Sequence, residues 1–152
     1  MKESSFNHDL AIRIQEEIGG RVRKISDKVA LGLPDTEHVK DSIVSYFEVK
    51  LYKHFMEKNV IQPWKAVNDI RQFEVCKRMS KSSLVFYVIY CPKVKMTAVL
   101  HLSEMETFRP VTGVYTHLNE GFSFMRGFGI ERIKWLMTQN RKEIYEKLKH
   151  EF

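Results

Sequence analysis

Apolar residues recur at helical spacing at the start of the chain: Phe6, Leu10, Ala11, Ile14 and Ile18 share one stripe, and Gly19-Gly20 supplies a stop. The pattern predicts an amphipathic helix over residues 4–18. Two short runs of strand character follow, Arg21–Ile25 and Val29–Leu33, separated by a polar Ser-Asp-Lys turn. Ser42–Tyr52 is dense in β-branched and aromatic residues, as a central strand should be, and strand alternation puts Glu48 and Lys50 on one face. Beyond Pro63, the residues Val67, Ile70, Phe73, Val75 and Met79 predict a second helix over 64–79. Ser82–Cys91 is an almost unbroken apolar run, the mark of a strand buried on both faces. Met96–Leu102 reads as an edge or hairpin strand, and residues 109–129 show no steady period. Ile130, Ile133, Trp135, Leu136, Ile144, Tyr145 and Leu148, interleaved with charges, predict a final amphipathic helix reaching 150. The order of elements is that of an α/β or α+β sandwich of sheet and helices.

At 152 residues and 43% apolar, the chain has material for one ordinary core, so a single domain is expected. Its core would span 4–108, with a C-terminal helical extension over 109–152. Twenty-five Lys and Arg against nineteen Asp and Glu give a net charge of +6, which favours a polyanionic partner. Cys76 and Cys91 are too few for a disulfide framework and lack zinc-site spacing, which fits a reducing compartment. The first residues are acidic and amphipathic where a signal peptide would be continuously apolar, and no segment approaches the length of an apolar membrane span. The expectation is an intracellular, cytoplasmic protein with no membrane partner.

The candidate chemistry lies in two acids and a lysine. Asp35 follows Pro34 at the end of one predicted strand, and Glu48-Val49-Lys50 lies inside the next. If the two strands pair as a hairpin, both carboxylates converge at one end of the sheet. Phosphodiester hydrolysis needs such an arrangement: two hard oxygen ligands for Mg²⁺ or Mn²⁺, which neutralises the phosphate and acidifies a bound water. Lys50 beside them would orient or deprotonate the attacking water, or stabilise charge in the transition state.

Pro-Asp, an apolar strand, then Glu-x-Lys, together with the order helix, strand, strand, strand, helix, strand, resembles the PD-(D/E)XK nuclease superfamily. Within it, residues 19–108 are most similar to RecU-like, archaeal and phage-type Holliday junction resolvases. Phe47-Glu48-Val49-Lys50 resembles their metal-binding strand, Gln72 a glutamine of the following helix, and Ser83–Tyr90 the next apolar strand. The resemblance implies a restriction-endonuclease-like fold, a central mixed sheet flanked by helices. It also implies Asp35, Glu48 and the backbone carbonyl of Val49 as ligands of Mg²⁺ or Mn²⁺, and Lys50 as catalytic lysine. Gln72 would position water or the lysine. Four-way or other branched DNA is the implied substrate and a homodimer the implied assembly, in a protein of phage or viral type. Many members add an acid from the first helix; here Glu3, Asp9 and Glu17 all stand as candidates. The segment after Phe108 has no counterpart in the resemblance.

Other readings compete. The same fold could act on linear duplex DNA or RNA, and a basic nucleic-acid-binding module without catalysis would carry Asp35 as a turn residue and Glu48 and Lys50 on a solvated strand face. The six histidines show neither HxH nor HExxH spacing, and no nucleophile elbow or phosphate loop is present. Arg21, Arg23 and Lys24, Lys53, Lys58 and Lys65, and Lys77, Arg78 and Lys81 are either DNA contacts or solvated faces. Phe55 and Trp64 could wedge into a junction, but packing against the sheet is the stronger expectation.

Overall fold

A computed structural model describes residues 2–25, 32–54, 56, 60–114, 117–118 and 123–151, omitting the side chains of 140, 144, 145, 147, 148, 150 and 151. The chain runs α1 (Glu3–Glu17), β1 (Arg21–Lys24), β2 (Thr36–Lys40), β3 (Ile43–Leu51), a 3₁₀ turn (Pro63–Ala66) and α2 (Ile70–Met79). It continues through β4 (Leu84–Cys91), β5 (Met96–His101), α3 (Leu102–Thr107), β6 (Phe124–Arg126) and α4 (Ile130–Glu151). The six strands form one sheet in sequence order. All neighbours are antiparallel except β3 and β4, whose parallel pairing requires the crossover that α2 supplies. The fold is therefore α+β, a mixed sheet flanked by helices, as expected.

Each face of the sheet carries its own core. Phe6, Leu10 and Ile14 of α1 join Ile130, Ile133, Leu136 and Met137 of α4 over Phe47, Val49, Phe86 and Val88. On the other face Phe73 and Cys76 of α2 and Leu102 and Met105 of α3 pack with Val85, Tyr87 and Ile89. β4 is apolar at every position because alternate residues serve the two cores. The same alternation in β3 sends Phe47 and Val49 to α1 and α4 and turns Glu48 and Lys50 toward α2.

Several boundaries differ from the sequence pattern. Of the run expected at Val29–Leu33, residues 29–31 lie outside the described residues and Gly32 and Leu33 are not in a strand. The strand lies beyond Asp35 instead, at Thr36–Lys40, and its inward residues Thr36 and His38 are polar, so no apolar alternation marks it. Thr36 donates to Asn7 of α1 at 2.9 Å, and His38 Nε2 bonds the Gly19 carbonyl at 2.8 Å. The helix expected over 64–79 is a 3₁₀ turn followed by α2, because the Asp69 side chain accepts from the N–H groups of Arg71 and Gln72 and starts a new helix there. β5 forms the expected hairpin with β4 but is not an edge, since the short β6 covers its other side. α3 begins on an unusual cap: His101 accepts from Ser103 N–H while Glu104 reaches back to the His101 N–H.

Candidate active site

β2 and β3 form a tight hairpin whose turn residues Asp41 and Ser42 both have positive φ, 53° and 64°, the geometry of a type I′ turn. That turn sets the register, ending at Thr36 opposite Phe47. One step further, Asp35 stands opposite Glu48, and Pro34 would stand opposite Val49. The ladder cannot continue there because proline has no N–H. The Val49 amide instead donates to Asp35 Oδ2 at 3.1 Å. The amide and carbonyl of a strand residue point the same way, so the Val49 carbonyl also faces the gap beyond Pro34.

Glu48 is 1% exposed. Its Oε1 accepts from Lys50 Nζ at 3.3 Å, and its Oε2 meets no ordinary donor. The Asp35 carboxylate is within hydrogen-bonding reach of it. Two carboxylates can bond each other only through a shared proton. Burial first, then the bond and negative charge of Asp35, push the Glu48 pKa up to about 9, against the opposing pull of Lys50. Burial and the neighbouring carboxylate thus favour the protonated form of Glu48 at neutral pH.

Buried Glu48 with an unpartnered oxygen, beside the half-buried carboxylate of Asp35, fits a divalent cation, which would satisfy oxygens of both acids. Asp35 and Glu48 are only two side-chain ligands, and the described residues contain no group of three His, Cys, Asp or Glu side chains placed to hold a metal. Of the three N-terminal acids, Glu3 is the one that reaches this edge, accepting from the Leu51 N–H at 3.3 Å. Asp9 is exposed, and Glu17 pairs with Arg13 at 3.7 Å. Along β3, the Val49 amide, the Val49 carbonyl and the Leu51 amide thus face outward in a row, flanked by Asp35 and Glu3.

Lys50, 8% exposed, bridges Glu48 to Asn68, donating to Asn68 Oδ1 at 3.2 Å. Asn68 precedes the Asp69 cap of α2, so the cap that starts the helix also places the amide beside the lysine. In the sequence its only mark is its place just before a residue suited to cap a helix. No side-chain hydrogen bond joins Gln72 to Asp35, Glu48 or Lys50, and its N–H belongs to the Asp69 cap. Cys76 and Tyr87 lie behind the acids. Burial, reinforced by Glu48 and Asp35, pushes the Cys76 thiol up to about 12, so it stays protonated. Trp64 is core, set edge-on to Phe73 with its indole N–H on the Met105 carbonyl, while Phe55 and Lys58 lie outside the described residues.

No family model matches the chain, and no curated protein matches it in sequence. Among solved structures it is similar to Archaeoglobus fulgidus Hjc, a Holliday junction resolvase from an archaeal hyperthermophile, with a TM-score of 0.50 and 12% identity. The match covers 79% of this chain and 85% of that one, and is a likeness of fold. No described helix is long and apolar enough to cross a membrane.

Proposed function

We propose that this chain is a metal-dependent endonuclease that hydrolyses phosphodiester bonds in branched DNA, four-way junctions foremost, and that it acts as a homodimer. The observation that carries the reading is the meeting of half-buried Asp35 and buried Glu48 with Lys50 at 3.3 Å from Glu48, on a sheet whose fold resembles that of a junction resolvase. Asp35, Glu48 and the Val49 carbonyl would hold Mg²⁺ or Mn²⁺, with Glu3 as a further acid at the same edge. When bound, the ion supplies neutralisation of the phosphate and a more acidic water.

The remaining work falls to the chain. Glu48 must release its proton for the site to load, and Lys50, 3.3 Å away, compensates the charge that appears on it. Asn68 holds the Lys50 ammonium from the other side, so its direction is set by two fixed acceptors and a substrate phosphate or water meets an aimed donor. The net charge of +6 supports a polyanionic substrate.

Incubation with a synthetic four-way junction in Mg²⁺ or Mn²⁺ tests the reading, with linear duplex and RNA as comparison substrates. Symmetric nicks in paired arms, lost in Asp35→Asn and Glu48→Gln, are the expected result. Absence of cleavage of every substrate with either metal overturns it.

A further inference from the structure

Phe6, Asn7, Leu10 and Ile14 hold α1 to the sheet, and the flank of the helix beside them stands over the edge strand β1 with a groove of about 320 Å³ between the two. Ala11 and Ile12 line it from the helix and Val22 from the strand, and Ile12 is left 41% exposed. At one end Gln15 crosses from helix to strand, its Oε1 accepting from the Val22 N–H at 3.0 Å. The other end lies by the acids. There the lining residues Ser4 and Thr36 directly follow Glu3 and Asp35, and Lys24 is the register partner of Thr36. The groove is thus bridged at Gln15 and runs to the edge where Asp35 and Glu3 flank β3.

Its polar groups are mostly donors. Gln15 commits its oxygen to the Val22 amide, which leaves its NH₂ group. Asn7, 8% exposed, commits its Oδ1 to the Thr36 hydroxyl at 2.9 Å, which likewise leaves an NH₂ group. Lys24 is exposed and forms no ion pair among the described residues. No carboxylate of a described residue lines the groove. Two amide donors and a cation beside an apolar strip suit a ligand with apolar faces, acceptors along its edge and a negative charge attached. A nucleotide has all three: the faces of its base for Ala11, Ile12 and Val22, carbonyl or ring-nitrogen acceptors for the amides, and a phosphate for Lys24. An apolar peptide side chain would leave the donors unpaired, and a free oxyanion would leave the apolar strip bare. A base that enters between helix and strand has left its own partner, as bases do most cheaply where pairing is already interrupted.

We propose that the α1–β1 groove binds one unpaired nucleotide of the substrate, base inward, close along the strand to the phosphate at Asp35 and Glu48. The inference rests on the reading of this chain as a nuclease of branched DNA, and it adds a contact to a base where the acid pair meets only phosphate.

Fluorescence anisotropy in EDTA tests the groove on two labelled single strands of equal length and charge, one of thymidines and one of abasic sugar phosphates. The thymidine strand should bind about tenfold tighter, the effect of one or two net hydrogen bonds, and the preference should be lost in Gln15→Glu and in Ala11→Leu. Gln15→Glu keeps an oxygen for the Val22 N–H while replacing a donor by a repelling charge; Ala11→Leu fills the groove with a good helix former, so either variant decides the matter if the other folds poorly. Equal affinity for the two strands overturns the proposal, as does a preference that persists in either folded variant, or no binding of either strand. Junction cleavage in Mg²⁺ is scored separately, so failure of the groove and failure of the nuclease reading are told apart: a thymidine preference without cleavage removes the second and leaves the groove as a nucleotide site.

Discussion

Glu48 ties stability to pH. Its pKa is raised from 4.5 to about 9, so the folded protein holds a proton that the unfolded chain has released throughout that window. The contribution of the protonated pair is complete below about pH 4.5 and is lost as pH rises toward 9. Denaturant unfolding should show stability falling across pH 5–9 by on the order of 1–4 kcal/mol, with the fall largely abolished in Glu48→Gln. A divalent cation that replaces the proton should flatten the same slope in the unmodified chain, and in Asp35→Asn it should not. For Lys50, single-turnover cleavage is the measurement: Lys50→Ala should slow the chemical step about 10²–10⁴-fold, the range for a group acting on a proton or developing charge. Asp35, Glu48 and Lys50 were all visible as a spaced motif. Glu3 and Asn68 were not, since nothing in their neighbours separates Glu3 from Asp9 or Glu17, or marks Asn68 as more than the residue before a cap.

The elements that carry these residues have weak points of predictable size. Asp69 caps α2 with bonds of 2.9 and 3.4 Å to the N–H groups of Arg71 and Gln72. Asp69→Ala should cost about 0.5–2 kcal/mol by thermal melt. Because Asn68 is its neighbour, that variant should also slow cleavage at unchanged metal affinity. Gly20 lies after α1 at φ +80°, where an added Cβ would stand 2.6 Å from the Val39 carbonyl oxygen. Gly20→Ala should destabilise the chain more than an exposed Gly127→Ala, which shares the positive φ but meets nothing within 4 Å. The elements that pattern reading captured, α1, β3, β4 and the start of α4, bury apolar side chains in runs or at a regular period against the helix-covered faces of the sheet. β2, α3 and β6 escaped it for separate reasons. β2 buries threonine and histidine, α3 starts on a histidine cap, and β6 has only three residues.

For the molecule as a whole, charge and coverage of the sheet set the remaining expectations. Fluorescence anisotropy on a four-way junction should show affinity dropping steeply between about 50 and 200 mM salt, as counterion release demands of a chain with net charge +6. Phe6 stacks on Tyr90 at 4.3 Å and on Phe128 at 5.2 Å, linking α1, β4 and the approach to α4. Phe6→Ala should cost about 3–5 kcal/mol by denaturant unfolding. The sequence by itself determined the class of fold and the strand that bears Glu48 and Lys50, because period and residue type are local properties. Tertiary structure alone decided that Asp35 precedes β2 rather than closing a strand, that its carboxylate meets Glu48, and that Glu3 rather than Asp9 or Glu17 reaches the same edge. Each of these depends on register and on the packing of segments far apart in the chain, and spacing along a sequence does not encode which distant groups meet.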